Sequence, residues 1–212
     1  MTAGGIADTL GALRQFANKK RMAESCELCG LELAEDHPHL VEPKTRKLLC
    51  SCNACAILFS GQSGSKYKRV HRRIRFLDDF RLTDTQWESL MIPINMAFFF
   101  ESSAQAKVVA LYPSPAGSTE SQLSLDTWSD MLAENPALTE MAADVEALLV
   151  NRLGPARGYA APEYYLLPID ECYKLVWLIR SHWRGLSGGA EVWNELERFF
   201  ADLRARSGVG YA

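Results

Sequence analysis

The sequence predicts an α+β protein in which a small cysteine-rich unit precedes a small antiparallel sheet flanked by helices. Five of the six cysteines fall within residues 26–55. Two strongly apolar, β-prone segments, 94–101 and 107–112, are joined by a short link and predict a buried hairpin. Residues 170–183 and 190–206 carry apolar side chains at helical spacing. The composition, 48% hydrophobic and 23% charged over 212 residues, is typical of a globular protein.

The cysteine spacing predicts a metal site. Cys26 and Cys29 form one C-x-x-C knuckle, and Cys52 and Cys55 form a second. Each knuckle directs two sulfur atoms at one point, and a hairpin between the knuckles brings the second onto the first. A tetrahedral cation with bonds of about 2.3 Å to sulfur then completes the set. We therefore predict a zinc-ribbon-like subdomain over residues 26–60 that binds Zn²⁺ through these four thiolates.

Both the identity of the metal and the set of ligands have alternatives. A rubredoxin-like iron site uses the same four thiolates, although the second knuckle lacks the proline and glycine that rubredoxins usually carry there. Cys50 is a fifth thiol, which could replace Cys52, lie beside the metal or take part in metal transfer. His37 and His39 flank a proline and could donate a nitrogen ligand in place of a thiolate.

Sequence patterns in the first third of the chain predict a helix, two short strands and a helical turn. An amphipathic helix is predicted within the N-terminal segment, residues 1–25. Two short strands are expected at 39–42 and 47–50, followed by a helical turn at 56–59 whose apolar side chains would pack on the metal site. The flexible sequence at 61–65 is the candidate boundary of this subdomain.

The remaining residues, 66–206, are predicted to form the α+β domain. In chain order the patterns predict a half-exposed strand (66–80), a short helix capped by Thr83 or Asp84 (85–90), the hairpin, a loop (112–121), helices (125–134 and 141–153), a short strand (164–167) and the two C-terminal helices. The five tryptophans occupy positions that indicate core packing.

The loop YPSPAGSTES, residues 112–121, is a candidate binding segment. Its hydroxyls and backbone N–H groups could receive an anion or a protein tail, through Ser114, Ser118, Thr119, Glu120 and Ser121. The alternative is an ordered loop whose hydroxyls bond within the loop. No G-x-S-x-G elbow accompanies these serines, so no catalytic role is predicted for them.

A basic stretch follows the cysteine-rich unit. Residues 66–75 read KYKRVHRRIR and interleave aromatic with basic side chains, as nucleic-acid contacts do. The alternative is a solvated strand face that pairs with the acidic second half of the chain. The sequence pI of about 5.8 favours that alternative.

Compartment signals indicate a cytoplasmic protein without membrane insertion. The longest apolar runs are far shorter than the roughly 20 residues that span a bilayer. Asp8 and Arg14 interrupt what would have to be the apolar core of a signal peptide. Clustered thiols in knuckle spacing also suit a reducing compartment.

Several longer motifs resemble one family, and the similarity covers most of the chain, from about residue 26 to residue 200. The motifs are CELCG, CSCNACAILF, IPINMAFFF, YPSPAGSTES, DVEALLVNR, CYKLVWLIR and WRGLSGG. The chain resembles a family of unknown function, of actinobacterial type, whose genes often lie beside those of high-affinity nickel-iron hydrogenases. The resemblance implies an association with hydrogenase assembly and supplies no activity or catalytic residue.

These observations together predict a non-enzymatic, metal-binding accessory or assembly protein whose partner is a hydrogenase subunit or maturation factor. One alternative is an electron-transfer protein with rubredoxin-like iron. A second is a nucleic-acid-binding regulator that uses the zinc ribbon and the basic stretch.

Overall fold

A computed structural model describes residues 24–62, 64–121, 125–156, 161–185 and 188–208. The helix predicted within residues 1–25 lies almost wholly outside these ranges. The described elements are, in chain order, β1 (His39–Glu42), β2 (Lys47–Cys50), α1 (Asn53–Ser60), β3 (Lys68–Arg69), β4 (Arg75–Phe76), α2 (Asp84–Ser89), β5 (Met96–Ser102), β6 (Lys107–Ser114), β7 (Gly117–Ser121), α3 (Leu125–Glu134), a 3-10 helix (Pro136–Glu140), β8 (Glu146–Asn151), α4 (Leu153–Ala156), β9 (Glu163–Pro168), α5 (Ile169–His182) and α6 (Gly189–Ser207).

A six-stranded antiparallel sheet forms the centre of the larger part, in the order β4-β9-β8-β5-β6-β7. Successive side chains of a strand point to opposite faces, and both faces of this sheet are covered. Phe98 and Phe100 pack towards α5 and α6. Phe99 packs on the other face, against Trp128 of α3 and the residues around Trp87 of α2. The predicted α+β class and the predicted β5–β6 hairpin are confirmed.

The helix predicted over 141–153 is wrong, because that region contains the central strand β8. Every residue of β8, with sequence EALLVN, is buried. A strand covered on both faces shows no polar alternation, so its apolar run has the same appearance as part of a buried helix. Pairing with β5 on one side and β9 on the other decides the conformation.

The loop predicted over 112–121 is also wrong. Its residues form the end of β6 and the whole of β7, and Tyr112 pairs with Thr119 and Pro113 with Ser118. Proline and glycine occur in hairpin turns as well as in irregular loops, so composition alone did not separate the two.

Three smaller expectations differ from the structure. The strand predicted over 66–80 is two short strands, of which β3 pairs with β1 and β4 with β9. The α1 helix is present, but Ile57, Leu58 and Phe59 are exposed and only Cys55 and Ala56 are buried. Trp177 of α5 is likewise exposed, contrary to the expectation for the tryptophans.

The cysteine-bearing part contains a second sheet, of three strands in the order β2-β1-β3. The strands predicted at 39–42 and 47–50 are confirmed to the residue. Val41 of β1 and Val70, which follows β3, join the apolar core between the large sheet and α5–α6. The small sheet therefore packs against the core of the larger part, and the two knuckles adjoin the small sheet.

Candidate metal centre

The four knuckle cysteines converge. One sulfur from each of Cys26, Cys29, Cys52 and Cys55 lies within 4.8 Å of the other three. Cys29 Sγ and Cys52 Sγ are 3.8 Å apart, which joins one knuckle to the other. The separations are compatible with four thiolates around one tetrahedral cation.

The first knuckle is closed by backbone hydrogen bonds and a glycine. The Cys26 N–H donates to the Leu31 carbonyl at 2.8 Å, and the Gly30 N–H donates to the Cys26 carbonyl at 2.8 Å. Gly30 has a φ of +76°, a left-handed conformation that glycine adopts at little cost. The turn therefore holds both sulfurs of the knuckle on one side.

The second knuckle begins a helix. Cys52 is the N-cap residue of α1, and its sulfur accepts a hydrogen bond from the Cys55 backbone N–H at 3.4 Å. The N-terminus of a helix carries partial positive charge, which favours thiolates there. Helix formation at residue 53 therefore directs both sulfurs towards the first knuckle.

Two thiols of the group, Cys26 and Cys55, have pKa values shifted in opposite directions. Burial opposes the charge on Cys26, but hydrogen bonds from the backbone of Cys52, Leu28 and Cys29 lower its pKa to about 6. Burial, together with the neighbouring thiols, raises the pKa of Cys55 to about 12. A divalent cation would remove this conflict, because it stabilises every thiolate that it binds.

Little apolar material surrounds the knuckles. Cys26, Cys52 and Cys55 are buried together, and only Leu28 and Leu33 pack against them among the described residues. So small a core does not hold a structure by itself. Metal binding would supply the missing stabilisation, as zinc does in small zinc-binding domains.

Cys50, His37 and His39 do not join the four-sulfur group, but they lie close to one another. One nitrogen of each imidazole and the Cys50 sulfur are mutually within 4.8 Å. His39 Nδ1 bonds to a carboxylate oxygen of Asp170 at 2.6 Å, across to α5. Burial, followed by the charges of Glu24, Glu27 and Cys26, raises the pKa of Cys50.

Several residues of the candidate binding segment form hydrogen bonds within the molecule. The Ser114 hydroxyl donates to the Gly117 carbonyl at 2.9 Å, and the Ser121 hydroxyl donates to the Leu90 carbonyl at 3.2 Å. The Glu120 carboxylate accepts hydrogen bonds from Arg46 and Lys107. Ser118 and Thr119 lie on β7, the last described strand at that end of the sheet. The structure thus places all five residues of the candidate binding segment on a regular hairpin.

The basic stretch is largely paired with carboxylates. Lys68 Nζ lies 2.6 Å from Asp144, and Arg75 contacts Glu140 at 3.0 Å. Two further pairs are Lys66–Glu42 and Arg72–Asp36. Asp144 and Glu140 both belong to the acidic second half of the chain. The arrangement has the features expected of a charged strand face that pairs within the molecule.

A family model matches residues 25–207, which is most of the chain. The chain belongs to DUF5947, a family of unknown function. The DUF5947 match includes both knuckles, both sheets and the two C-terminal helices. No curated protein and no solved structure is significantly similar to the chain.

Membership of DUF5947 supplies no substrate or activity, so function has to be inferred from the geometry. The described helices include none that is both long and apolar enough to cross a bilayer.

Proposed function

We propose that this DUF5947 protein is a non-enzymatic accessory protein that binds Zn²⁺ through Cys26, Cys29, Cys52 and Cys55 and acts by binding a protein partner. The observation that carries the proposal is the convergence of these four sulfurs within 4.8 Å. Four protein ligands complete a tetrahedral shell and leave no position for substrate or water, as in structural zinc sites.

Zinc is proposed in preference to iron because of intrinsic affinity. Divalent iron binds a given site more weakly than zinc in the usual order of divalent metals. The rubredoxin-like alternative has a simple discriminator, since an iron tetrathiolate is red and a zinc tetrathiolate is colourless.

The proposed contact surface is the exposed side of α1. Ile57 and Leu58 are 66% and 63% exposed, and Phe59 is also exposed. Leu31 of the first knuckle adds a fourth exposed apolar side chain to the same cysteine-bearing part. Because α1 begins at the second knuckle, a bound metal would fix the position of this apolar surface.

The proposed partner is a nickel-iron hydrogenase subunit or a hydrogenase maturation factor. This part of the proposal rests on the sequence resemblance described above. The protein would act in the cytoplasm, where reduced thiols remain available to metal.

The test compares co-purification with metal content. The double variant Ile57→Glu/Leu58→Glu should lose the hydrogenase component that co-purifies with the wild-type chain and should keep its zinc. Trp177→Glu is the matched control, because Trp177 is an equally exposed apolar residue on α5. The proposal fails if no hydrogenase component co-purifies with the wild type and a deletion strain has normal hydrogenase activity.

A further inference from the structure

We propose that His37, His39 and Cys50 form a second Zn²⁺ site, separate from the four-cysteine centre. The two groups share no residue, and within each group the ligand atoms lie within 4.8 Å of one another. The inference depends on the geometry of these residues and not on the identity of any partner.

Strand register brings the three residues together. His39 and Cys50 are directly opposite in the antiparallel β1–β2 pair, so their side chains lie on the same face of the small sheet. The ladder continues for one further step, since the Ser51 N–H donates to the Pro38 carbonyl at 3.0 Å. His37 precedes His39 by two residues, and its ring lies beside the His39 ring. The two imidazole centroids are 4.9 Å apart.

Both histidines make a hydrogen bond through Nδ1. His37 Nδ1 is 2.8 Å from the Ala34 carbonyl oxygen. A carbonyl only accepts, so Nδ1 carries the proton and Nε2 of the neutral ring keeps its lone pair. His39 Nδ1 donates in the same way to the Asp170 carboxylate at 2.6 Å. Metal-binding histidines characteristically donate their other ring nitrogen to a carbonyl or a carboxylate.

The His37 lone pair has no hydrogen-bond partner among the described residues. His37 is only 6% exposed, yet its Nε2 makes no hydrogen bond there. An oxygen of the Glu24 carboxylate lies 3.5 Å from this Nε2, beyond the usual range of a hydrogen bond. A buried polar atom without a partner calls for an explanation, and a bound metal ion would supply one.

The donor set selects the class of metal. Two imidazoles and one thiolate suit Zn²⁺ and related transition metals, whereas Mg²⁺ and Ca²⁺ require oxygen ligands. Three protein ligands leave the fourth tetrahedral position to water, to Glu24 or to an external ligand. This site would therefore exchange metal more readily than the closed centre of four cysteines.

Zinc stoichiometry tests the proposal. The full chain is equilibrated with excess Zn²⁺, freed of unbound ion by gel filtration and analysed for zinc and protein. About two zinc ions per chain are expected for the wild type and about one for each of His37→Asn, His39→Asn and Cys50→Ser. Asparagine is chosen because its amide N–H can retain the hydrogen bond that Nδ1 donates. His71→Asn, an exposed histidine outside both groups, should keep both ions.

Cobalt spectra keep the test decisive if a histidine variant does not fold. Co²⁺ in the wild type should give two sets of ligand-field bands, one from a tetrathiolate and one from a mixed nitrogen–sulfur site. Cys50→Ala should remove only the second set. Cys29→Ser should disrupt the tetrathiolate set, which separates failure of the proposed four-cysteine centre from failure of the second site. One zinc per chain in the wild type, or two in all three variants, would overturn the inference.

Discussion

Cys26 has a lowered pKa, and this property has a measurable consequence. Its pKa of about 6 in the folded, metal-free protein lies below the ordinary value of 9.0. A thiol whose pKa is lower in the folded than in the unfolded chain stabilises the fold at a pH above its unfolded-state pKa. That stabilisation is lost as the pH falls to the folded-state pKa. Acidification should therefore destabilise the metal-free fold progressively between about pH 9 and pH 6, with little further loss from this group below pH 6.

Ultraviolet titration of thiolates in the metal-free protein checks this expectation. The wild type should show an ionisation step near pH 6 that is missing in Cys26→Ser. Cys172→Ser is the control, because burial followed by the charges of Asp170 and Glu171 raises the pKa of that thiol. Persistence of the acidic step in Cys26→Ser would assign it to another group.

The sequence predicted that the four knuckle cysteines meet, but not what packs beside the neighbouring histidines. The spacing was sufficient for the convergence of Cys26, Cys29, Cys52 and Cys55, since C-x-x-C turns direct sulfurs locally. The contact from Asp170 to His39 spans 131 residues. No local pattern reports such a contact, because it depends on how α5 packs against the small sheet.

Gly188 controls how α6 begins. It has a φ of +87°, and a Cβ placed there would lie 2.9 Å from Val192 and 3.2 Å from the Trp183 ring. Gly188→Ala should lower the free energy of unfolding by roughly 2 kcal/mol or more, from steric overlap added to backbone strain. Thermal or denaturant unfolding measures the change.

Gly185→Ala provides the matched control in the same turn. Gly185 also has a positive φ, of +62°, but a Cβ there would meet nothing within 4 Å. Gly185→Ala should lower the free energy of unfolding by backbone strain alone, about 1–2 kcal/mol. Equal losses in the two variants would contradict the steric account of Gly188.

Elements with local signals were predicted well, and those defined by tertiary pairing were not. Thr83 caps α2 through a capping box with Gln86, and the Thr-x-x-Gln spacing is visible in the sequence. The strand β8 has no such signal, because burial on both faces removes the alternation that would identify it. The β6–β7 hairpin was hidden by prolines and glycine that suit both loops and turns.

The two sheets are joined by a buried carboxylate. Asp144, which is 3% exposed, lies 2.6 Å from Nζ of Lys68 on β3. Its carboxylate also accepts a hydrogen bond from the Ser103 backbone N–H at 2.9 Å. Asp144→Asn should reduce stability by about 1–3 kcal/mol, because the lysine loses its charged acceptor. Asparagine tolerates the positive φ of 71° at this position, so backbone strain does not confuse the result.

Glu195→Gln is the comparison for an exposed pair. Its partner Arg198 is 71% exposed, and surface ion pairs contribute about 0–1 kcal/mol. Chemical denaturation of both variants measures the difference. A loss in Glu195→Gln as large as that in Asp144→Asn would contradict the role of burial.

Metal removal should destabilise the knuckle region but not the large sheet. The knuckle region has almost no apolar core of its own, whereas β5 and β8 are buried on both faces. Chelation should therefore increase amide hydrogen exchange in residues 24–36 and 50–62 and leave β5 and β8 protected. Uniform loss of protection over the chain would show that the centre supports the whole fold.

The central claim is that four cysteines bind zinc, and elemental analysis of protein purified without added metal tests it most directly. The wild type should contain zinc and no stoichiometric iron, and Cys29→Ser should lose about one zinc ion per chain. Cys29 is exposed, so serine there removes a ligand without opening the core. A red, iron-containing protein, or unchanged zinc in Cys29→Ser, would contradict the claim.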